Sequence, residues 1–573
     1  MAQTNWIQPI KRFFRLIAED KKDITNIYLF AIFSGIISLT LPLGVQAIIN
    51  IVMGGRASSS WVLLVVIVIL GTALVGFLQI LQLSVTEIVQ QRIFTRSAFE
   101  FSYRVPRFKA TEIMNDHPPE LVNRFFDTLN VQKGLPKILT DFPTAILQII
   151  FGLLLLSFYH PIFIMFGAVL LTLLFSILYF TGPRGMETSL QESKYKYKVA
   201  FWLEELARTM STWKLAGITE LPNKRTDQLT SIYLQSRKAH FKVLVAQFIY
   251  IILFKVLITG GLLIIGGFLV INNQISIGQF VAAEIVIITI LGSSEKLIRS
   301  LETIYDVLTG LEKIGHVMDI PLDNCDKDAI QLNPEKDGLS VELSNLSLEF
   351  TNYAEPILKN INLKISHGEK ICLSGPEGSG KSILLQVLGG LYTDFTGSLQ
   401  YNGHAINSLN LEQLRSYIGD DFSMEDLFDG SLAENVSMGR EHISDDEILK
   451  AMHLVGLGEF LKELPNGLRT HMVPGGKRIP NSISRRIILS RCFAQNPPML
   501  LLDNFPSAIG HRAEQLSEII TDSKAKWTSI VASNHKVMAS RCDRIIILER
   551  GKIAFDGSWS EVQKQAQFSN LFQ

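Results

Sequence analysis

Long apolar runs dominate the first half of the chain. They lie at residues 24–50, 60–85, 138–158, 162–181, 243–271 and 277–298. A helix of about 20 apolar residues is long enough to cross a hydrocarbon core of about 30 Å. The pattern therefore predicts a membrane domain of six transmembrane helices in residues 1–318.

A short amphipathic segment precedes the first apolar run. Residues 6–18 alternate apolar and basic side chains at helical spacing, which is typical of a helix that lies at the membrane surface. Lys11, Arg12 and Arg15 precede the run, and no small-residue cleavage pattern follows it. We therefore expect no cleavable signal, so that the first span stays in the protein.

The polar connections between the runs predict the orientation of the chain. The connections between spans two and three and between spans four and five are long and rich in Lys and Arg, whereas the others are short and carry at most Arg56. Because cationic loops stay on the cytosolic side, both termini and both long loops are expected there. Helical spacing in EELARTMSTWKLAG predicts that the spans continue into the cytosol as helices.

The second half of the chain has a different pattern. Residues 319–338 are polar and turn-rich and predict a linker. From 339 to 573, short apolar strands alternate with helical segments, as in an α/β domain. The fold class expected for the whole chain is thus a six-helix membrane domain fused to an α/β domain.

Composition supports a membrane part and excludes one class of partner. Hydrophobic residues make up 47% of the chain and charged residues 19%, which is low for a soluble protein. Lys+Arg and Asp+Glu number 54 each, so no bulk basic field is available for nucleic acid. The four cysteines show no CxxC spacing and are expected to be reduced thiols.

A glycine-rich stretch between a predicted strand and a predicted helix carries a phosphate-binding pattern. Glycines there let backbone N–H groups approach phosphate oxygens, while a lysine and a serine reach the phosphates and Mg²⁺. A second apolar strand, MLLLD, ends at Asp503, the carboxylate expected to hold Mg²⁺ through its water shell together with Ser382. ATP and Mg²⁺ are therefore the predicted cofactors. The loop residues are Gly375, Pro376, Glu377, Gly378, Ser379, Gly380, Lys381 and Ser382.

The chain resembles a bacterial ABC exporter half-transporter of the secretion, multidrug or lipid type. The resemblance rests on the six spans with two long cytosolic loops, followed by the glycine-rich loop and the MLLLD strand. The resemblance covers essentially the whole chain and implies an α/β P-loop cassette and short coupling helices near 113–124 and 193–204. It further implies an aromatic side chain stacked on the nucleobase, Phe350 or, as a weaker candidate, Tyr353. It also implies a domain-swapped dimer with a second, identical or different, half-transporter. Membrane lipid and a possible periplasmic adaptor are the expected partners, and the bacterial inner membrane is the expected location.

The chain departs from the family where the signature loop normally contacts the γ-phosphate. The resemblance places Ile479 to Ile483, read as IPNSI, at this loop. Pro480 has no N–H to donate, and the side chains of Asn481 and Ser482 stand where close backbone approach is needed. The conventional signature is absent.

The positions that act on the attacking water are substituted as well. Asn504 stands where the family has a glutamate, and Ser423 stands where it has a glutamine. The switch histidine is Asn534 or, with a one-residue shift, His535. An amide cannot accept a proton as a general base. We therefore assign no catalytic residue and expect ATP binding with weak or absent hydrolysis.

Two charged residues lie within apolar runs. Counted from the turn at 272–277, Lys255 lies about 25 Å and Glu284 about 12 Å from the outer end of its helix, so a direct pair between them is not expected. Lys255 is expected to reach the inner membrane interface. Glu284 is expected to face a cavity or to form a hydrogen bond between helices.

Two functions follow from these observations. The first is an ATP-binding subunit that exports a substrate across the membrane. The alternative is a regulatory or scaffold protein that senses ATP, modulates a partner and transports nothing. The resemblance identifies no substrate for either function.

Overall fold

The computed structural model describes residues 7–54, 59–114, 118–324, 329–332, 338–350, 355–422, 427–476, 478–503, 505 and 513–572. The chain divides into two compact units. The helical unit comprises Met1–Arg107 and Asn115–Ile320, and the α/β unit comprises Phe108–Met114 and Pro321–Gln573.

The described residues contain six segments that are long and apolar enough to cross a membrane, which confirms the predicted number of spans. Two of them are interrupted or jointed, and four consist of one long α-helix each. The helices of this unit are α1 (Ile7–Ala18), α2 (Lys21–Ser38), α3 (Thr40–Met53), α4 (Ser59–Arg104), α6 (Pro118–Asn123), α7 (Asp127–Pro136), α8 (Phe142–Tyr159), α9 (Ile162–Arg208), α10 (Met210–Leu215), α11 (Leu221–Ile271) and α12 (Ile277–Met318); the short α5 (Ala110–Ile113) belongs to the α/β unit.

Prolines explain where the jointed spans break. Pro42 lies in the first turn of α3, where backbone N–H groups have no partner within the helix in any case. Pro136 ends α7, and a π-helical turn, Lys137–Asp141, leads into α8. A proline in a helix interior removes one backbone hydrogen bond, so a joint at this position is expected.

The longest helices exceed the thickness of a membrane. α9 has 47 residues and α11 has 51, so each is about 70 Å long or more, against a hydrocarbon core of about 30 Å. Residues 193–204, predicted as a coupling helix, lie in the interior of α9. The short helix between the two long ones is α10, and Leu215 beside its end is 89% exposed.

The core of the helical unit lies where α8, α9, α11 and α12 meet. Phe163, Leu170, Ile251 and Ile287 are fully buried there. Close approach of α9 and α12 requires a glycine, because a Cβ on Gly185 would lie 2.4 Å from the Tyr305 ring. This core is built from residues up to 160 positions apart, from Ala145 to Tyr305, so it depends on tertiary packing.

The α/β unit contains two main sheets. The four-stranded antiparallel sheet has the order β2-β1-β4-β5, and the six-stranded sheet has the order β12-β11-β3-β10-β9-β6 with β12 antiparallel and the others parallel. The strands are β1 (Val341–Leu348), β2 (Leu358–Ile365), β3 (Lys370–Ser374), β4 (Thr396–Tyr401), β5 (His404–Ala405), β6 (Ile418–Asp420), β7 (Gly430–Ser431), β8 (His471–Met472), β9 (Met499–Leu502), β10 (Thr528–Ala532), β11 (Arg544–Glu549) and β12 (Lys552–Gly557).

The central strands β3, β9 and β10 are buried along their whole length, as expected for parallel strands covered on both faces. The apolar side chains of these strands divide into two clusters on opposite faces of the sheet. The helices of this unit after α5 are α13 (Lys381–Leu388), α14 (Leu411–Ser416), α15 (Leu432–Ser437), α16 (Asp445–Leu454), α17 (Gly458–Glu463), α18 (Asn481–Ala494), α19 (Ala513–Ile520), α20 (Lys536–Arg541), α21 (Trp559–Gln563) and α22 (Ala566–Ser569).

The segment Phe108–Met114 is part of the α/β unit although it lies between two spans in sequence. The N–H of Lys109 donates to the carbonyl of Pro321 at 3.0 Å. The Lys109 ammonium lies 2.7 Å from the Asp394 carboxylate, which also accepts from the Thr111 hydroxyl. α5 within this segment and α6 after it fall in the region where the sequence predicts the first coupling helix, near 113–124.

Candidate nucleotide-binding site

The glycine-rich loop joins the buried strand β3 to the start of α13. Gly378 and Gly380 have φ values of +73° and +103°, in the left-handed region that favours glycine. A Cβ on Gly378 would meet no atom within 4 Å, so the backbone there faces open space. The loop therefore leaves room for a ligand to approach its main chain directly.

Lys381 is folded back over this loop. Its ammonium donates to the carbonyls of Gly375 at 2.8 Å and Pro376 at 2.9 Å, and to the Ser379 hydroxyl at 3.4 Å. Burial lowers the pKa of Lys381, and the nearby carboxylates of Asp503 and Glu377 partly oppose that shift. The cation is held at the loop by weak acceptors that phosphate oxygens can replace.

A cavity of about 710 Å³ opens beside the loop. Its lining includes Gly378 to Ser382, Phe350 and Tyr392, together with the cations Lys359 and Arg550. The Phe350 and Tyr392 rings lie 5.1 Å apart, edge to face. Of the lining cations, Lys359 pairs with Glu355, which also lines the cavity. A cavity lined by aromatic rings and by Lys381 and Arg550 fits a nucleotide, whose base is flat and whose phosphates are anionic.

Sequence reasoning found Phe350 but missed Tyr392, which shares the cavity with it. Nothing in the local sequence distinguishes Tyr392 from a core tyrosine. Phe350 follows β1 and Tyr392 follows α13, so the two rings meet only in the tertiary structure. Tyr353, a second aromatic considered from the sequence, lies outside the described residues.

Asp503 directly follows β9, beside the end of β6. Its backbone N–H donates to the Asp421 carboxylate at 2.6 Å. Burial raises the pKa of Asp421 to about 8, and the neighbouring carboxylates of Asp503 and Asp420 add to that shift. Within the described part of the chain, Asp421 forms no ion pair.

Asp421 is a second residue that sequence reasoning missed. The available signal was the pair of acids in IGDDF, placed directly after a short apolar strand. Because β6 and β9 run parallel and adjacent, residues that follow their carboxyl ends must meet. Strand order, which sequence alone does not reveal, was needed to connect Asp421 with Asp503.

The structure brings Asn534, rather than His535, to the loop. The Asn534 carbonyl accepts from the Ser374 hydroxyl at 2.8 Å and from the Gly375 N–H at 3.3 Å, and its amide donates to the Gly375 carbonyl at 3.1 Å. His535 is the N-cap residue of α20, and its backbone N–H donates to the Ser533 hydroxyl.

The IPNSI segment forms the start of α18. Pro480 is the N-cap residue, and its carbonyl accepts from the N–H groups of Ile483 at 2.8 Å and Ser484 at 3.1 Å. Asn481 and Ser482 follow as the first helical residues and are exposed. Proline provides neither a side-chain acceptor nor an N–H at this end.

Two of the substituted positions, Ser423 and Asn504, lie outside the described residues. Of the predicted cofactor-binding residues, Phe350 and Gly378 to Ser382 line one cavity, whereas Asp503 lies at the end of β9 outside its lining. The open space at Gly378, the cationic lining and the weakly held Lys381 fit a Mg-nucleotide.

A P-loop α/β unit joined to six membrane-spanning segments defines an ATP-binding membrane transport protein. The family model described as "ABC transporter" matches residues 358–506. The model described as "ABC transporter transmembrane region" matches residues 24–294. The chain belongs to the ABC transporter family and has the architecture of an exporter half-transporter.

Relatives with curated names are exporters. A putative multidrug export ATP-binding/permease protein of Bacillus subtilis, YgaD, is 27% identical over 304 residues, 52% of each chain. The alpha-hemolysin translocation ATP-binding protein HlyB of Escherichia coli O157:H7 is 27% identical over 305 residues, covering 53% of this chain and 43% of HlyB. The chain therefore spans about half the length of the curated relatives it matches.

A solved structure shows the same fold over nearly the whole length. A bacterial Atm1-family ABC exporter with ATP bound superposes with a TM-score of 0.83 at 18% sequence identity, covering 96% of this chain and 98% of the other. At this identity the likeness concerns the fold alone. The integral membrane character and the predicted fold class are confirmed by these matches and by the six apolar segments.

Proposed function

We propose that this ABC exporter subunit binds Mg-ATP in its α/β unit and hydrolyses it weakly or not at all. The observation that carries the proposal is the contrast between two helix starts. The P-loop before α13 keeps its open glycines and Lys381, whereas α18 starts at Pro480. Elements that only bind a nucleotide are kept, and an element that acts on the γ-phosphate is replaced.

The residues that would hold the cofactor follow from the cavity lining. Gly378 and Gly380 offer main-chain N–H groups to phosphate oxygens, Lys381 offers charge, and Phe350 with Tyr392 offers an apolar contact for the base. Ser382 and Asp503 carry the oxygens that Mg²⁺ prefers. When bound, Mg²⁺ neutralises phosphate charge.

We infer the loss of hydrolysis from the residues at four positions. Pro480 has no N–H to offer, and Asn534 is occupied by hydrogen bonds to Ser374 and Gly375. Asn504 and Ser423, known from the sequence, lack the carboxylate and the amide of the family. Without a base or a positioned water, the barrier to phosphoryl transfer stays high.

The test is a paired measurement on the purified full-length chain. Bound nucleotide and phosphate release are determined for the wild-type protein, for Lys381→Ala, and for Lys364→Ala as a control in an exposed strand position. We expect ATP binding that Lys381→Ala abolishes and Lys364→Ala leaves intact, with turnover far below about 1 per second. Turnover at or above that rate, lost in Lys381→Ala, would contradict the proposal.

We place both termini and the α/β unit in the cytosol of a bacterium, with the helical unit in the inner membrane. The asymmetry of Lys and Arg among the connections supports this orientation. We also propose a dimer with a second half-transporter, with a linker at 319–338. Phe108–Met114 and the region around α10 are the proposed coupling elements. Accessibility of cysteines placed near each terminus tests the orientation.

A second candidate function is a regulatory or scaffold subunit that senses ATP and moves nothing. The start of α18 at Pro480 favours it, because proline offers a γ-phosphate no N–H at this helix start. Vesicles that contain the chain alone, or the chain with any co-purified partner, distinguish the two functions. Export that depends on this chain supports the subunit role, and unchanged export without it supports the regulatory role.

A further inference from the structure

Ionic groups join α11 to α12 in the helical unit. Lys255 pairs with Glu295, and the Arg299 guanidinium lies 2.7 Å from the same carboxylate. The expectation that Lys255 simply extends to the interface is therefore replaced by an ion pair between helices. Glu284, by contrast, is half-buried on α12.

A cavity of about 570 Å³ lies next to this ionic group. Its charged lining residues are three cations, Lys137, Arg237 and Arg299, and one anion, Glu302, and the neutral Gln247 lines it as well. Because three cations face one carboxylate, the lining has a surplus of positive charge.

The partners of these cations reduce that surplus to one positive charge, because four cations, with Lys255 included, then face the three carboxylates of Glu302, Glu192 and Glu295. Arg299 shares Glu295 with Lys255, so two cations depend on one carboxylate. Lys137 donates to the Thr303 hydroxyl at 3.3 Å and, among the described residues, forms no ion pair. Only Arg237 has a carboxylate, Glu192 at 3.1 Å, that the other cations of the lining do not share.

Most of the apolar lining comes from α11, the helix that also carries Arg237. Phe241, Val245, Phe248 and Ile249 line the cavity, and the two phenylalanines are 56% and 44% exposed. The Arg299 guanidinium lies 5.4 Å from the centre of the Phe248 ring, so the cationic and apolar parts adjoin. A ligand that fits must be anionic at one end and apolar at the other.

The depth of the cavity fits the inner surface of the membrane. Counted from the outer ends of α11 and α12, Phe248 and Arg299 lie about 33 to 36 Å along their helices. The hydrocarbon core is about 30 Å thick, so both residues reach the inner headgroup region. Basic pockets between spans on the cytosolic side are where anionic lipid headgroups bind.

We propose that this cavity binds an anionic phospholipid of the inner leaflet, with its phosphate between Arg299 and Lys137 and an acyl chain along Phe248 and Ile249. A zwitterionic lipid would place a second cation among the cations of the lining. A small anion without a chain would leave the apolar lining in water. The binding site is independent of ATP hydrolysis and of the proposed export function.

The experiment uses the full-length chain in detergent and native mass spectrometry. Three probes are titrated: phosphatidylglycerol, phosphatidylcholine with the same acyl chains, and glycerol phosphate. We expect at least a tenfold preference for phosphatidylglycerol over phosphatidylcholine and no binding of glycerol phosphate. Equal binding of the two lipids, or competition by glycerol phosphate, would overturn the proposal.

Variants localise the binding. Lys137→Gln combined with Arg299→Gln is expected to reduce the preference to below about threefold, and Phe248→Ala to weaken binding of phosphatidylglycerol. Lys238→Gln, on the same helix but outside the lining, is the matched control and keeps the preference. Arg299→Lys keeps the charge and should bind like the wild type. Unaltered preference in the double variant, with ATP binding also unaltered, would place the lipid elsewhere and refute the proposal.

Discussion

Asp421 is an acidic residue of the nucleotide-binding region whose pKa rises on folding. Its carboxylate accepts the Asp503 N–H, lies beside two further carboxylates and has a pKa near 8. The usual value for this side chain is 3.8. Between these two values the folded protein therefore binds a proton that the unfolded chain does not.

A pH dependence of stability follows for the nucleotide-free protein. The free energy of unfolding falls with rising pH when the folded state holds more protons, so stability decreases up to about pH 8 and then levels off. Asp421→Asn keeps the acceptor oxygen without the charge and should remove most of this decrease. Thermal unfolding at pH 6, 7 and 8.5 provides the measurement. Identical pH profiles for the wild-type protein and Asp421→Asn would contradict the assignment of this decrease to Asp421.

Pro480 offers a second prediction for a single residue. Pro480→Ser introduces a hydroxyl that can accept from an N–H in the first turn of α18, worth about 1 kcal/mol before the lost rigidity of proline is subtracted. We expect a small gain of about 0.5 kcal/mol in the α/β unit and turnover still far below 1 per second. Pro480→Ala lacks the hydroxyl and is the control. A gain equal in both variants would exclude the capping explanation.

Among the elements, the segment Phe108–Met114 shows how a connection between spans becomes part of the α/β unit. One backbone hydrogen bond to Pro321 and the contacts of Lys109 and Thr111 with Asp394 hold it. The hydrogen bonds from Lys109 and Thr111 lower the pKa of Asp394. These contacts are partly exposed, so each is worth little by itself.

Asp394→Asn tests this attachment. Removing the charge weakens the ion pair with Lys109 by about 0.2 to 1 kcal/mol, so the Lys109 amide should exchange its hydrogen faster by a factor of about 1.4 to 5. Hydrogen-exchange mass spectrometry of the full chain is the measurement. Asp446→Asn, an exposed position in the first turn of α16, should leave that exchange unchanged. No difference between the two variants would exclude a role for Asp394.

At the scale of the whole molecule, ligand binding and stability are linked. A ligand that binds only the folded state stabilises it by about 2.7 kcal/mol at a hundredfold excess over its dissociation constant. Mg-ATP should therefore raise the unfolding temperature of the wild-type protein and not that of Lys381→Ala. With hydrolysis as slow as proposed above, removing Mg²⁺ with a chelator should lower the temperature again. A rise of the same size in Lys381→Ala would exclude the P-loop as the site.

Much of the fold could be predicted from local patterns. The six apolar segments and the P-loop depend on residues near one another in the sequence, and both were found there. The interior of α9 at 193–204 was less predictable, because a helical pattern alone does not reveal where a long helix ends. Tyr392 and Asp421 were missed, since each joins the site through a neighbour distant in sequence.

The sequence by itself determined that the chain crosses a membrane six times and carries a P-loop, because the length of an apolar run and the chemistry of a short loop are local properties. Only the tertiary structure decided which charges meet. Sheet order brought Asp421 to Asp503 and Asn534 to Gly375. Helix packing brought Lys255 of α11 to the Glu295 carboxylate of α12. Such contacts join residues far apart in the chain and form only when whole elements pack together.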